Sequence, residues 1–237
     1  MILSGNKQTK KVLTFSFDDG VMQDLKIVKI LNKYNLKATF NLCSGLFGQS
    51  FPLIWDGVNV ERKIVLPDMV KDGYFGHEVA VHTVTHARLK SISEDEIVKE
   101  ILDDISNLEN LVGYEVRGMA YPCNEVDDRV LNIIRERTPI KYARTTDATH
   151  SLKLQNKLLQ FNPSCRVFDK DMYQLADELI KSDDNAPKLL YIWAHCYEFD
   201  YKPDNYKKFE EFCEYVSFKK DIAYLTNIEA FKLLGQI

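Results

Sequence analysis

The feature that most constrains this 237-residue chain is a repeated order of short apolar runs and helical patterns. Runs rich in β-branched and aromatic residues fall at 12–17, 38–43, 78–81, 116–121, 142–146, 188–194 and 222–226. Between them lie amphipathic segments. Ile97, Ile101, Ile105 and Leu108 recur at helical spacing behind Ser93 and Glu96, which read as a capping box. Leu25, Val28 and Leu31, with Ile27, Ile30 and Tyr34, give 25–34 a broad apolar face. Strands that alternate with helices pair in parallel, because parallel neighbours need crossovers. The runs are apolar enough to be covered on both faces. The expectation is an α/β fold, a closed or nearly closed (β/α) barrel of about seven parallel strands. A doubly wound open sheet is the alternative. No linker or repeat divides the chain, so 1–237 reads as one domain.

Composition removes several function classes. The net charge is -4 and the lysine pairs sit among acids, which gives no basic stripe for nucleic acid. No apolar run reaches membrane-spanning length, and a polar stretch from Ser4 to Lys11 stands where a signal peptide would be apolar. A cytoplasmic protein is the default expectation, although a chain trimmed of its export signal would read the same. The five cysteines are scattered and form no C-x-x-C pair, against a disulfide framework or thiolate zinc site. Residues 44–66 form a long connection with Gly45, Gly48, Pro52 and Gly57, of the kind that contributes to binding sites. Residues 155–171 are a second irregular stretch, with a short extra strand at 158–161.

Three strand ends carry chemistry. Thr14-Phe15-Ser16-Phe17 runs into Asp18-Asp19-Gly20. Asp and Gly are favoured in turns, but adjacent carboxylates repel unless a cation or shared proton compensates. His82-Thr83-Val84-Thr85-His86 follows the run at 78–81. Two histidines at i and i+4 face one way on a helical turn, and two imidazoles with one carboxylate make a divalent-metal site. Tyr191-Ile192-Trp193-Ala194-His195 brings a third histidine to a strand end. The C-terminal ends of barrel strands are where barrel enzymes place their chemistry.

Taken together, F-S-F-D-D-G, H-T-V-T-H and the late W-A-H resemble the polysaccharide deacetylases, carbohydrate esterase family 4 with its NodB homology domain. The motifs are in that family's order, and the resemblance runs from Val12 to about Phe231. It implies a distorted seven-stranded (β/α) barrel. It implies that Asp18 is the base, that Asp19, His82 and His86 hold the metal, and that His195 is the acid. Trp193 falls where the family lines an acetyl-methyl pocket, and the N–H of Cys123 would be the oxyanion donor. Tyr121 is a candidate to stack on sugar. The cofactor implied is one divalent ion, zinc by ligand type, with cobalt, nickel, manganese or iron as alternatives.

Two departures stand out. The family's third motif has an Arg where this chain has Ala120; Arg117 lies on the opposite strand face, and Arg144 is the better candidate to hold Asp18. The fourth motif, which tunes the acidic histidine, is not found; Asp147 and Glu198 are possible partners for His195. The function expected is metal-dependent removal of acetyl groups from a carbohydrate. The alternatives are an amide hydrolase of the same fold acting on a small non-sugar compound, and a non-catalytic carbohydrate-binding barrel.

Overall fold

The computed structural model describes residues 10–237; most of the polar N-terminal stretch read above lies outside them. The chain begins with β1 (Lys11–Asp19), α1 (Asp24–Lys33), β2 (Ala38–Leu42), β3 (Ser50–Trp55) and β4 (Val58–Lys63). Next come α2 (Pro67–Gly73), β5 (Glu78–Val81), α3 (Glu94–Val112), β6 (Gly118–Ala120), α4 (Asp128–Arg137) and β7 (Tyr142–Arg144). The last part holds β8 (Cys165–Arg166), α5 (Met172–Lys181), β9 (Lys188–His195), α6 (Asn205–Val216), β10 (Ile222–Tyr224) and α7 (Asn227–Leu233). No described helix is long and apolar enough to cross a membrane.

The parallel sheet runs β7-β6-β5-β2-β1-β9-β8, seven strands curled into a half-barrel. β10 pairs with the start of β1, below β2 on the same edge. The sequence expected seven strands, but not this set. The two-residue β8 was not anticipated, and the last expected run, β10, lies off the main path. A single parallel bridge joins Arg144 to Phe161, and β8 pairs with β9. Residues 161–166 therefore link the two edges and draw the curl towards closure. The expected strand at 158–161 is a 3-10 turn over Leu158–Gln160 that ends in this one bridge.

β1 shows how the layers are filled. Phe15 and Phe17 face outward and meet the edges of Phe209 on α6. Thr14, Ser16 and Asp18 alternate with them and face the barrel interior, as the two-residue period of a strand requires. The main apolar core thus lies between sheet and helices, and the interior combines polar residues with a smaller apolar cluster that includes Val12, Phe161, Tyr191 and Phe231. Thr14 Oγ1 donates to Asn227 Oδ1 (2.8 Å), and Thr39 Oγ1 and Tyr142 OH donate to Glu78 (2.7 and 2.9 Å). Small residues make room for large ones there. Gly118 and Ala120 on β6 stand in register with Tyr142 and Arg144 on β7, and a Cβ on Gly118 would fall 2.2 Å from the Tyr142 hydroxyl oxygen.

The best-signalled helix forms as expected. Ser93 Oγ accepts from the Glu96 N–H and Glu96 Oε2 accepts from the Ser93 N–H, while Gly113 closes α3 in the left-handed region (φ 78°).

Candidate active site

Asp18 and Asp19 end β1. Asp18 is in register with Asn41 on β2 and His195 on β9. Parallel neighbours in register point the same way, so sheet pairing alone brings these three side chains together. Arg144 reaches across from β7 and donates to both Asp18 oxygens through Nη2. Its Nε donates to Ser16 Oγ (3.2 Å) and its Nη1 to the Thr145 carbonyl (2.8 Å). Asn41 Nδ2 donates to Asp18 Oδ1 at 2.9 Å. Burial works to raise the Asp18 pKa. The Arg144 guanidinium, His82 and His195 outweigh it and hold the carboxyl below its ordinary value.

Asp19 takes a left-handed backbone (φ 79°) that turns its carboxylate towards the histidines. His82 Nε2 and His86 Nε2 each stand 3.5 Å from Asp19 Oδ1. That oxygen is buried and has no hydrogen-bond partner. His82 Nδ1 donates to the Ala120 carbonyl (2.8 Å), which fixes the tautomer and leaves Nε2 as a ligand atom. Donors 2.0–2.1 Å from one tetrahedral ion stand about 3.3–3.4 Å apart. The orphaned oxygen and the spacing of the three donors fit a single divalent cation. Buried among these groups, Asp19 is held low by its histidine neighbours in spite of desolvation. Desolvation and the adjacent His82 lower His86 to about 4, which keeps its ring neutral, the form that ligates metal.

The histidines do not converge by a helical turn, as the i, i+4 spacing predicts. Thr83 and His86 both have positive φ (62° and 58°), and Thr83 Oγ1 accepts from the Ala87 N–H (2.9 Å). Glu100 on α3 accepts from the N–H and the hydroxyl of Thr85 (2.9 Å each). The Gly45 N–H donates to the Val84 carbonyl (2.8 Å), and a Cβ on Gly45 would fall 2.6 Å from Val84 Cγ1. A non-helical loop, clamped from two sides, does the work. Such left-handed non-glycine residues each store roughly 1–3 kcal/mol and gather at functional sites.

His195 Nδ1 donates to Glu198 Oε1 at 2.6 Å, which leaves Nε2 free to exchange a proton. Glu198 also accepts from Arg166 Nε (3.0 Å) and Nη2. Burial opposes charging of His195, but Glu198 and the two aspartates raise its pKa above the ordinary value. Of the two sequence candidates, Glu198 is the partner of His195. Asp147 instead accepts from Asn124 Nδ2 (2.9 Å). Arg117 pairs with Glu109 and Glu115, away from Asp18.

Cys123 sits in the Pro122–Asn124 turn with φ 53°, and its N–H has no acceptor among the described residues. The guanidiniums of Arg144 (4.9 Å) and Arg166 (5.1 Å) both lie over the Trp193 ring, which is buried. Tyr121 corrects the sequence reading. It is 1% exposed and its hydroxyl donates to the Leu159 carbonyl (2.6 Å), so it is core and offers no face to a sugar.

The long connection at 44–66 is largely a hairpin. β3 and β4 pair antiparallel through Asp56-Gly57, both with positive φ (46° and 78°), as a two-residue I′ turn requires. The hairpin walls a cavity of about 230 Å³ beside the donors, lined by Asp19, Cys43, Phe51, Arg62, Ile64 and His86 among others. Sequence reading missed Arg62, Arg166, Ser16 and Asn41. The interior alternation on β1 points to Ser16; nothing local distinguishes the other three.

The polysaccharide deacetylase family model matches residues 5–139, more than half of the chain. The chain belongs to the polysaccharide deacetylase family. Among curated relatives, a chitin deacetylase 1 of Cryptococcus neoformans is 25% identical over 144 residues, 59% of this chain and 27% of that protein. A peptidoglycan-N-acetylglucosamine deacetylase of Bacillus cereus is 29% identical over 119 residues, 49% of this chain and 38% of that protein. The chain thus spans well under half the length of these relatives. The structure of the peptidoglycan deacetylase PdaC from Bacillus subtilis matches with TM-score 0.59 at 17% identity, covering 97% of this chain and 94% of that one. That likeness shows the shared fold, the distorted α/β barrel of the family.

Proposed function

We propose that this deacetylase-family chain is a divalent-metal hydrolase that removes acetyl groups from a carbohydrate. One observation carries the reading. Three metal-ligand atoms face one another around an unbonded carboxylate oxygen, next to a second carboxylate kept ionised by a buried guanidinium. Mere sugar binding needs no such base.

Asp19, His82 and His86 would hold the ion, and their ligand set suits zinc, with cobalt, nickel, manganese or iron also accommodated. A bound divalent ion supplies Lewis acidity towards water and an acyl carbonyl. Asp18 takes the proton of the attacking water, and Arg144 and Asn41 keep it oriented and charged. His195, protonated and aligned by Glu198, gives a proton from Nε2 to the leaving amine or alcohol. The Cys123 N–H is the protein's donor to the developing oxyanion, an interaction worth roughly 2.7–4 kcal/mol in comparable sites. Trp193 packs against the guanidiniums of Arg144 and Arg166.

The test is incubation of the metal-loaded protein with N-acetylglucosamine oligomers, acetylated xylan and a panel of cyclic amides. Acetate release from a sugar that disappears in Asp18→Asn, with metal affinity retained, is expected. Ring opening of a cyclic amide without acetate release would overturn the carbohydrate reading.

A further inference from the structure

Arg62 has no place in the chemistry above. It comes from β4, and its guanidinium lies over the rings of Phe51 (5.6 Å) and Tyr197 (5.5 Å) at the cavity wall. The hairpin carrying it is fastened down. Gln23 Nε2 donates to the Glu61 carbonyl (2.9 Å) and to Asp200 (2.7 Å), the Met22 N–H donates to the Lys63 carbonyl (2.8 Å), and Trp55 stacks on Tyr201 (4.9 Å). The backbone that carries Arg62 is therefore held in place before any ligand arrives.

Its own bonding is incomplete. The contact to Asp19 Oδ2 is 3.8 Å, too long for a hydrogen bond, and its Nε is buried with no partner among the described residues. A guanidinium offers five N–H groups in a fork that matches a carboxylate. Around the site Arg62, Arg144 and Arg166 balance Asp18, Asp19 and Glu198. A divalent cation held by Asp19 would occupy the carboxylate that pairs with Arg62 within 4 Å among the described residues and would leave the cavity net positive, a field that selects an anion.

Building on the deacetylase reading, we propose that Arg62 is an anion subsite and that the substrate is an acetylated sugar bearing a carboxylate. Two chemistries supply that group next to an acetyl: a uronic acid, with the carboxylate on the ring, and a lactyl ether, with the carboxylate on a side arm. Phe51 and Tyr197 pack against the guanidinium, whose fork would meet both carboxylate oxygens with paired N–H groups rather than with charge alone.

The test is ligand-observed titration of the intact protein, with and without zinc, using the methyl glycosides of N-acetylglucosamine, N-acetylglucosaminuronic acid and N-acetylmuramic acid. One of the acids is expected to bind roughly 10- to 100-fold more tightly than the neutral sugar, the range a charge-assisted hydrogen bond supplies. The preferred acid shows where the carboxylate sits. In Arg62→Gln the ratio of affinities should collapse towards one. Arg62→Lys, which keeps charge but not the fork, should lose part of it and covers the case in which the Gln variant fails to fold. Equal affinity for all three sugars, absence of binding by any, or a full acid preference surviving in either variant would overturn the subsite. Acetate release is scored separately. Acid-selective binding without release under any metal overturns the deacetylase reading and leaves the subsite standing. Release from the neutral sugar without acid preference does the reverse.

Discussion

Replacing Arg144 with Gln should be expensive in a way that the buried pair makes calculable. Asp18 and Arg144 have side chains only 3% and 1% exposed, and the guanidinium supplies Asp18 with hydrogen bonds to both oxygens. Removing one partner of a buried pair strands the other charge, at about 3–5 kcal/mol. For a chain of this size that is a fall in Tm of roughly 6–20 °C. The chemistry should suffer more than the fold. Burial is the largest influence on Asp18 and acts to raise its pKa. Without the guanidinium that influence is less opposed, the carboxyl holds its proton further up the pH scale, and the base loses the group that orients it. A positioned base contributes roughly 100- to 10,000-fold, so kcat at pH 7 should fall by about 100-fold or more. The acidic limb of the rate profile should move to higher pH. Adding Asp18→Asn to Arg144→Gln removes both charges and should restore much of the stability but none of the activity. Differential scanning fluorimetry and a pH series of kcat/KM provide both readouts. A single variant within 2 °C of wild type with an unmoved acidic limb would refute the reasoning, whatever the double variant does.

Further outcomes follow from the other buried titrating groups. Glu198→Gln removes the negative charge that, against burial, helps lift His195, so the alkaline limb of kcat/KM should shift to lower pH; an unchanged limb would show that the Glu198 charge does not tune the acid. Burial raises Glu78 to about 7, from 4.5. Its contribution to stability is present in full below the unfolded value and is lost as pH rises through about 7, an effect of up to about 3 kcal/mol. Glu78→Gln should therefore gain in Tm over wild type between pH 5 and pH 8; a gap constant across that range would count against the assignment.

The motif-bearing strand ends were legible because chemistry and local structure coincide there. The alternation of β1 sends Asp18 inward, and register with β2 and β9 does the rest. Arg144 was legible for a similar reason, since it ends a strand whose in-register neighbour is the small Ala120. What escaped depends on distant segments. β8 is two residues long and exists only because it pairs with β9. The histidine loop owes its shape to Glu100 and to the space at Gly45, which a helical spacing rule does not see. Tyr121 looks like a rim aromatic until the Leu159 carbonyl claims its hydroxyl. The hairpin was read only as a long connection, although Asp56-Gly57 is a turn signal between runs able to pair. Its consequence, Arg62 placed beside Asp19, depends on that pairing and was missed with it.

The most direct test of the account is anomalous diffraction at the metal absorption edge, from crystals grown with zinc or cobalt. The account predicts one ion bonded to a carboxylate oxygen of Asp19 and to Nε2 of both His82 and His86, with Asp18 outside its ligand shell. An ion found only at the surface group of His150, Asp169 and Asp171, in protein that turns over acetylated sugar, would contradict it.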